Sequence, residues 1–401
     1  MLKKPDNKLA NPETWAEETR LVRGGLDRSH HGETSEALYL NSGFVYPDGE
    51  TAEARFAGEE DGYVYARYGN PTVTMFEERL RLLEGAEACY GVASGMAAVY
   101  GALACQLEAG DHIVSSRALF GSCYQIITNI LPRFGISFTL VDGDDPDQWR
   151  DAVTDKTKLF FLETPSNPTL EVLDLAAVSA IGKEKGVTLV VDNIFATPIL
   201  QKPLKYGADV VVYSGTKHID GQGRTLGGAI MSTTKFKEKQ LKPFLRHTGP
   251  SLSPFNAWTL LKGMETLKLR VLAQCEAALK IATVLEGEAA VARVVYPFLE
   301  SHPQHALCKQ QMTAGGTMVT FELTGGKKAA FNLLRNLKII DISNNLGDAK
   351  SLVTHPASTT HRNIGQEARD AMGITEGMVR LSVGLEDAGD LIADLQQALS
   401  A

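Results

Sequence analysis

The sequence predicts an α/β protein in which helices cover both faces of a mostly parallel sheet, with an N-terminal arm before this domain and a smaller α/β domain after it. Between about residues 63 and 246, short β-branched runs alternate with helical stretches, which is typical of a parallel sheet. The runs are almost continuously apolar, as strands buried on both faces are. A second, shorter series of strands and helices follows a long helical stretch. We therefore predict an arm at 1–62, a large domain at 63–254 and a C-terminal domain at 255–401.

Each predicted element rests on its hydrophobic periodicity. The arm contains Gly, Pro and Glu with little periodicity, which indicates irregular chain and short helices. In the large domain we predict helices that include 72–84, 95–107 and 175–185, and strands at 112–115, 137–141, 159–163, 188–192, 209–213 and 228–232. The C-terminal part begins with a predicted helix from 255 to about 287. Strands at 316–323, 338–342 and 378–383 and helices at 327–337 and 388–399 follow it.

Composition and charge argue against several classes of function. The chain of 401 residues carries a formal net charge of −8, whereas a nucleic-acid-binding protein would present a basic face. No apolar run approaches the ~18 residues that a membrane helix needs, and the polar segment 1–15 lacks the apolar core of a secretory signal. The five cysteines are scattered without a metal-binding spacing, so we expect no metal and the free thiols of a cytoplasmic enzyme. An acidic chain also needs a dedicated positive site for any phosphate ligand.

A lysine directly after a predicted strand is the strongest local signal of chemistry. The run Ser214-Gly215-Thr216-Lys217-His218 follows the strand predicted at 209–213. Burial favours the neutral amine, which attacks carbonyl carbon atoms, and the hydroxyls of Ser214 and Thr216 can donate to phosphate oxygens. Lys217 is therefore a candidate Schiff-base lysine beside a phosphate. A run of this kind on its own more often contains a solvated loop lysine, so other features must support the hypothesis.

Asp192 supplies one such feature, because it ends the apolar strand predicted at 188–192, 25 residues before Lys217. A carboxylate at the carboxyl end of a parallel strand lies where open α/β sheets bind ligands. It can pair with a protonated pyridine nitrogen and so make the ring an electron sink. Taken alone, Asp192 fits a helix cap equally well. In company with Lys217, the cofactor role is the favoured interpretation.

A turn of small residues supplies the positive site that an acidic chain requires. Ser94, Gly95 and Met96 stand at the point where a helical stretch opens. Small residues allow backbone N–H groups to approach an anion at the positive end of a helix. Close helix packing explains the turn equally well when it is taken alone.

Together with further motifs in a fixed order, these residues make the sequence resemble the cystathionine γ-synthase-like family of fold-type I enzymes, which use pyridoxal 5′-phosphate (PLP). The resemblance extends from about Thr19 to the C-terminus. It implies a fold-type I PLP-dependent transferase with a seven-stranded, mostly parallel sheet and with PLP in the large domain. The further motifs are Phe56-Ala57-Gly58-Glu59, Tyr63-Val64-Tyr65-Ala66-Arg67, Asn70-Pro71-Thr72, Glu163-Thr164-Pro165-Ser166-Asn167-Pro168, Leu346-Gly347-Asp348, Thr354-His355-Pro356-Ala357-Ser358 and Arg380-Leu381-Ser382-Val383-Gly384.

The functional residues of the family can be carried over one position at a time. The resemblance implies that Lys217 holds PLP, that Asp192 contacts its pyridine nitrogen and that Asn167 contacts its phenolic oxygen. Arg380 would bind the α-carboxylate of the substrate, with a surface salt bridge as its alternative role. The phosphate would be bound by residues of two subunits, namely Ser94, Gly95, Met96, Ser214 and Thr216 of one chain and Tyr65 and Arg67 of its neighbour. The resemblance therefore implies a homodimer with shared sites, usually assembled as a homotetramer.

Departures from the family pattern bear on the reaction. Phe120 stands where members commonly place a tyrosine over PLP, so it can stack on the ring but has no hydroxyl for proton transfer. Related lyases carry a cysteine at the position of Ser122, and both differences argue against methionine γ-lyase activity. The run Asp220-Gly221-Gln222-Gly223-Arg224 resembles the branch that uses the succinyl ester of homoserine. Asn345 replaces a serine of many relatives, so its contact with the substrate carboxylate is left open.

The resemblance implies a γ-replacement in methionine biosynthesis, in which O-succinyl-L-homoserine and sulfide give L-homocysteine and succinate. The second carboxylate of this ester needs a cation, for which Arg117 is the candidate, with a solvated strand-end arginine as the alternative. Cystathionine γ-synthase, O-acetylhomoserine sulfhydrylase, methionine γ-lyase and aminotransferase activities remain as alternatives. A PLP-binding protein without catalysis is the alternative outside enzymes. The joint presence of Lys217, Asp192, Arg67 and Arg380 argues against it.

Overall fold

Seven strands form the larger sheet of the computed structural model, which describes residues 11–401. Along the chain they are β1 Ala88–Val92, β2 His112–Ser116, β3 Ser137–Val141, β4 Thr157–Glu163, β5 Thr188–Asp192, β6 Val210–Ser214 and β7 Gly228–Ser232. In space the order is β1-β7-β6-β5-β4-β2-β3, with β7 antiparallel to both of its neighbours and parallel pairing from β6 to β3. The first ten residues of the predicted arm lie outside the described residues.

Helices precede and connect these strands. Those before residue 254 are α1 Glu17–Arg23, α2 Gly49–Ala57, α3 Pro71–Glu84, α4 Gly95–Ala104, α5 Gly121–Gln125, α6 Pro146–Asp151, α7 Leu175–Lys185, α8 Thr197–Leu200, α9 Thr234–Phe236 and α10 Lys242–Thr248. Shorter 3₁₀ or π turns are Pro12–Thr14, Ile126–Ile130, Leu131–Phe134, Pro203–Tyr206, Gly215–Ile219 and Lys237–Leu241. Within residues 11–401, no helix has both the length and the apolar character that crossing a bilayer requires.

Alternate residues of the central strands belong to different cores. Val191 and Val211 pack in a core with α3, α7 and α11 (Pro254–Met264), whereas Val190 and Val212 pack in another with α4 and α10. Both faces of the sheet are therefore covered by helices, which explains the continuous apolar runs in its strands. The predicted α/β class with a mostly parallel sheet is confirmed.

A second sheet follows residue 254. Its strands are β8 Val291–Val295, β9 Met318–Leu323, β10 Asp341–Ile342, β11 Leu352–Thr354 and β12 Met378–Ser382, in the spatial order β10-β11-β12-β9-β8. The remaining helices are α12 Leu267–Glu286, α13 His305–Gln311, α14 Gly326–Asn336, α15 Gln366–Ala371 and α16 Ala388–Leu399, with 3₁₀ turns at Pro356–Ser358 and Arg362–Ile364. Residues of α12, α14 and α16 share a separate apolar core with this sheet. The predicted boundaries at 62/63 and 254/255 stay predictions.

Several elements differ from the sequence-based expectation. The edge strand β1 was not predicted, because its five residues include Gly91 and offer a single β-branched side chain. The strands β8 and β11 were also missed, and the strand expected at 338–342 is reduced to β10. The long helix expected from 255 is interrupted between α11 and α12. There the Arg270 guanidinium donates to the Gly263 carbonyl at 2.7 Å, which satisfies an acceptor left free at the end of α11.

Candidate active site

A cavity of about 270 Å³ opens where β4, β5 and β6 end, at the edge of the sheet where parallel α/β folds bind ligands. The last residues of these strands, Glu163, Asp192 and Ser214, all line it. Most of the residues singled out in the sequence meet here. The predicted site residues that line the cavity are Ser94, Gly95, Met96, Phe120, Asn167, Asp192, Ser214, Thr216, Lys217 and Arg380.

Lys217 follows β6 within the short turn Gly215–Ile219, where its own backbone is non-helical with φ −93° and ψ −128°. Its Nζ donates a hydrogen bond of 2.6 Å to Oδ1 of Asn345. Burial, together with the charge of Arg380, lowers the pKa of the Lys217 amine to about 8. A substantial fraction of the amine is therefore neutral and nucleophilic near pH 8.

Asp192 and Glu163 are neighbours across the parallel strands β5 and β4, where the two residues are paired in register. Both carboxyl groups are almost fully buried, at 2% exposure each. Asp192 accepts the backbone N–H of Ile194 at 3.0 Å, yet burial raises the pKa of Asp192 to about 7. Burial, and then repulsion from Asp192, raises the pKa of Glu163 well above its usual range. A cation placed beside Asp192 would favour its ionised form.

The turn before α4 forms a tight cradle against the ends of β6 and β7. Ser94 caps α4 by accepting the backbone N–H of Ala97 at 3.1 Å. A Cβ on Gly95 would lie 2.6 Å from Cβ of Ser214, and one on Gly228 would lie 2.1 Å from the Ser94 carbonyl oxygen. Glycine is therefore required at both positions, because no larger residue allows these segments to lie so close together. The arrangement leaves free N–H groups of the α4 N-terminus at the cavity. The Ser214 and Thr216 side chains line the same wall.

Arg380 extends from β12 to the opposite side of the cavity. Its guanidinium donates to Oδ1 of Asn167 at 2.8 Å and to the Asn344 carbonyl at 3.0 Å, while its Nε is buried without a partner. Burial lowers the pKa of Arg380 to about 10, so it stays cationic at neutral pH. A buried guanidinium with an unused donor fits a carboxylate ligand, and the alternative role as a surface salt bridge does not apply at 1% exposure.

Phe120 borders the cavity immediately before α5. Its backbone N–H donates to Oε2 of Glu163 at 2.7 Å. Its ring meets the ring of His361 edge to face, with centroids 6.3 Å apart. Nε2 of His361 lies 3.2 Å from the Leu119 carbonyl oxygen, so the segment before α5 is held from two sides.

Three predicted site residues lie elsewhere in the chain. Tyr65 and Arg67 are outside the Lys217 cavity: the Arg67 guanidinium lies over the Tyr65 ring at 5.3 Å and donates to the Arg246 carbonyl. Arg117 lines a different cavity, where its Nε donates to Asp142 at 3.0 Å and its side chain is 30% exposed. Its position matches the alternative of a strand-end arginine, and its predicted contact with a succinyl carboxylate has no support from the geometry of this chain.

Sequence reasoning did not assign a site role to nine further residues that line the cavity, among them Glu163, Thr360 and Leu226. Glu163 was noted only as part of a motif, and its place beside Asp192 follows from the β4–β5 register. Thr360 and Leu226 also line the cavity, although they come from loops without a recognisable pattern. Contacts of this kind depend on long-range packing and leave no local signal in the sequence.

A family model described as Cys/Met metabolism PLP-dependent enzyme matches residues 18–400. The chain belongs to this family. It is therefore a PLP-dependent enzyme, as the resemblance implied, with PLP as its cofactor. The chain is similar to O-succinylhomoserine sulfhydrylase of Mycobacterium tuberculosis, at 54% identity over 98% of this chain and 97% of the relative. The enzyme of the same name from Pseudomonas aeruginosa is 45% identical over 96% and 95% of the two chains.

Other relatives are named for different reactions. L-methionine gamma-lyase of Fusobacterium nucleatum subsp. polymorphum is 42% identical over 95% of this chain and 97% of the relative. The structure of a putative O-acetylhomoserine (thiol)-lyase from Campylobacter jejuni superposes with a TM-score of 0.93 at 33% identity, covering 96% and 100% of the two chains. That structure contains a pyridoxyl-lysine phosphate. Cystathionine gamma-lyase from Lactobacillus plantarum superposes with a TM-score of 0.91 at 34% identity, covering 96% and 99%.

The cavity fits PLP by the chemistry of its lining. It joins a buried lysine of lowered pKa, a buried acid at a strand end, and a glycine-dependent cradle at a helix N-terminus. These groups match the aldehyde, the pyridine nitrogen and the phosphate of the cofactor, respectively.

Proposed function

We propose that this enzyme replaces the succinyl group of O-succinyl-L-homoserine with sulfide, which gives L-homocysteine and succinate in methionine biosynthesis. The observation that carries this proposal is the 54% and 45% identity, over nearly the whole chain, to two enzymes named O-succinylhomoserine sulfhydrylase. Phe120 supports it, because the ring at the cavity has no hydroxyl to donate a proton to a leaving thiol.

PLP bound in this cavity would supply an electron sink for carbanions at the substrate carbons next to it. Lys217 would hold the cofactor and then move protons, which is supported by the pKa of about 8 of its amine and by its position in the same cavity. A single amine in this cavity would take the Cα proton, pass it on to the bound cofactor and, once neutral again, take a Cβ proton without a second base. The negative charge of Asp192 would keep the pyridine nitrogen protonated during these transfers.

Binding and orientation fall to the remaining lining residues. Arg380 would bind the α-carboxylate, and Asn167, which accepts a hydrogen bond from Arg380, can use its amide donor for the phenolic oxygen of PLP. The backbone at Gly95 and Met96 and the hydroxyls of Ser214 and Thr216 would hold the phosphate.

The phosphate also requires positive charge, which supports a site shared between two subunits. Within residues 11–401, Lys217 and Arg380 are the basic side chains that line the cavity, and the proposal assigns both to other groups. Tyr65 is 42% exposed and stands with Arg67 on another part of the surface of the same chain. We propose that both residues reach the phosphate of a neighbouring subunit in a homodimer, that dimers pair into a homotetramer, and that the enzyme is cytoplasmic.

The test of the reaction is an assay of three homoserine esters, succinyl, acetyl and phosphoryl, each supplied with sulfide and with cysteine. Homocysteine formation should be fastest with the succinyl ester and sulfide. Faster turnover of the acetyl ester would replace the proposal with O-acetylhomoserine sulfhydrylase. Faster formation of cystathionine from cysteine would indicate cystathionine γ-synthase, and rapid elimination from methionine would indicate methionine γ-lyase.

A further inference from the structure

The carboxyl group of Glu163 connects three parts of the cavity that the proposed reaction uses separately. Glu163 is the last residue of β4 and is 2% exposed. In the parallel register it is paired with Asp192, so both side chains point to the same face of the sheet at its carboxyl edge. Asp192, the residue assigned to the pyridine nitrogen, therefore has another buried acid beside it.

The second connection is to Phe120. The backbone N–H of Phe120 donates to Oε2 of Glu163 at 2.7 Å, across 43 residues of sequence. Phe120 occupies the N-cap position of α5, and none of its own side-chain atoms caps that helix. This hydrogen bond therefore fixes the backbone of the residue whose ring borders the cavity. An ionised carboxylate accepts such a bond more strongly, but the carbonyl oxygen of a neutral acid also accepts it.

The third connection is electrostatic. Two adjacent buried carboxyl groups cannot both ionise at low cost, so one of them retains a proton. Burial is the largest cause that raises the pKa of Glu163, followed by the charge of Asp192; the hydrogen bond from the Phe120 N–H and then the charge of Arg380 lower it, but the pKa stays well above its usual range. If Glu163 is the protonated partner, Asp192 can serve as the anion for a pyridinium. An uncharged Glu163 also leaves the guanidinium of Arg380 available to a substrate carboxylate.

We propose that Glu163 is a positioning residue that acts as a neutral acid. It holds the Phe120 backbone so that the ring covers the cofactor, and it leaves the anionic role to Asp192 and the cationic role to Arg380. The proposal rests on PLP in this cavity and on the proposed reaction for its kinetic test, whereas its spectroscopic test needs only bound PLP.

The experiment compares Glu163→Gln, which keeps an oxygen acceptor without charge, with Glu163→Ala, which removes the acceptor. Glu171→Gln is the matched control, because Glu171 is another carboxyl group of raised pKa, about 7, and it lies in the cavity of Arg117. In the holoenzyme we expect Glu163→Ala to lower kcat/KM about tenfold, which corresponds to about 1.4 kcal/mol. Glu163→Gln should recover most of that loss.

The readouts that separate positioning from general stability are the visible circular dichroism of bound PLP and a double-mutant cycle with Phe120→Leu. Glu163→Ala should change the dichroism band and Glu163→Gln should retain it. If Glu163 acts through the Phe120 ring, the losses in Glu163→Ala and Phe120→Leu should be less than additive. Thermal melting of each variant identifies any that fails to fold. If Glu163→Ala does not fold, the kinetics and dichroism of Glu163→Gln decide the outcome.

Two results would overturn the proposal. A folded Glu163→Gln enzyme that has lost tenfold or more in kcat/KM would show that an ionised carboxylate is needed at this position. A Glu163→Ala enzyme with unchanged dichroism and kinetics would show that the Phe120 contact has no role. If the wild-type enzyme prefers another ester, the proposed reaction is wrong. The role of Glu163 is still tested by the dichroism of the Glu163 variants and by their kcat/KM with the preferred ester.

Discussion

Nζ of Lys217 donates a 2.6 Å hydrogen bond to the side-chain oxygen of Asn345, which lies between β10 and β11. The reactive amine at the end of the large sheet is thus in contact with a loop of the second sheet. The same loop is held by Arg380, which donates to the Asn344 carbonyl at 3.0 Å. Residues associated with both sheets therefore contribute to the environment of the amine.

This contact predicts an effect of Asn345 on turnover. Asn345→Ala removes the acceptor that receives Lys217 whenever the amine is free, and a neutral hydrogen bond contributes about 0.5–1.5 kcal/mol. We expect kcat to fall about two- to tenfold, with a smaller loss in Asn345→Ser, since a hydroxyl can also accept. Steady-state kinetics with the succinyl ester measure both variants. If kcat is unchanged in Asn345→Ala, the hydrogen bond between Lys217 and Asn345 belongs to the protein without substrate and has no role in turnover.

The lowered pKa of Lys217 predicts how the apoenzyme captures PLP. Burial lowers this pKa to about 8, and the neutral amine is the form that attacks the aldehyde. The neutral fraction rises with pH through that value, so covalent capture should accelerate about tenfold from pH 7 to pH 9 and then level off. Stopped-flow absorbance after mixing apoenzyme with PLP follows the reaction. A rate that still rises steeply above pH 10 would indicate an amine of ordinary pKa.

Asp192→Asn should retain the cofactor and lose most of the rate. The amide keeps the shape and a hydrogen-bonding group but removes the negative charge that favours a protonated pyridine nitrogen. Loss of one preorganised electrostatic contact in a buried site lowers kcat by on the order of 10²–10³. The measurements are the content of bound PLP and kcat at saturating substrate. Near-normal turnover with full cofactor content would remove Asp192 from the mechanism.

A shared site predicts complementation between two inactive chains. Lys217→Ala lacks the amine, and Arg67→Ala lacks the proposed contact with the neighbour's phosphate. A mixed dimer contains one site with both residues, so random subunit exchange should restore about a quarter of the wild-type activity. Borohydride reduction should trap PLP only on the chain that retains Lys217. If exchange is verified and no activity returns, Arg67 does not act across the interface.

The position of Arg117 predicts that it does not select the ester. Its Nε–H bond to Asp142, at 3.0 Å, lies in a cavity separate from that of Lys217. Arg117→Ala should therefore change the ratio of kcat/KM for the succinyl and acetyl esters by less than about fivefold, because exposed ion pairs contribute ~1 kcal/mol or less. If Arg117→Ala lowers this ratio mainly by lowering kcat/KM for the succinyl ester, Arg117 does contact the succinyl carboxylate, as the sequence suggested.

Local sequence determined the elements that carry the cofactor-binding residues. The apolar runs that end at Asp192 and just before Ser214 are strands in the structure, and the small-residue turn does open α4 at Gly95. These features are readable because β-branched runs, capping residues and glycines act on their immediate neighbours along the chain. Lys217 is the candidate Schiff-base lysine because it stands directly after such a strand and is accompanied by Asp192 and the small-residue turn.

Tertiary structure alone decided which side chains meet. The β4–β5 register places Glu163 beside Asp192, and the second sheet brings Arg380 to Asn167 across 213 residues. Arg117 stands three residues before Phe120 yet lines another cavity, because Arg117 directly follows β2 whereas Phe120 stands at the N-cap of α5. Burial also set the charge of the site, since desolvation lowers the pKa of Lys217 and raises that of Asp192. Residue types and spacing determine the candidates, whereas register and desolvation depend on contacts between segments that are distant in the chain.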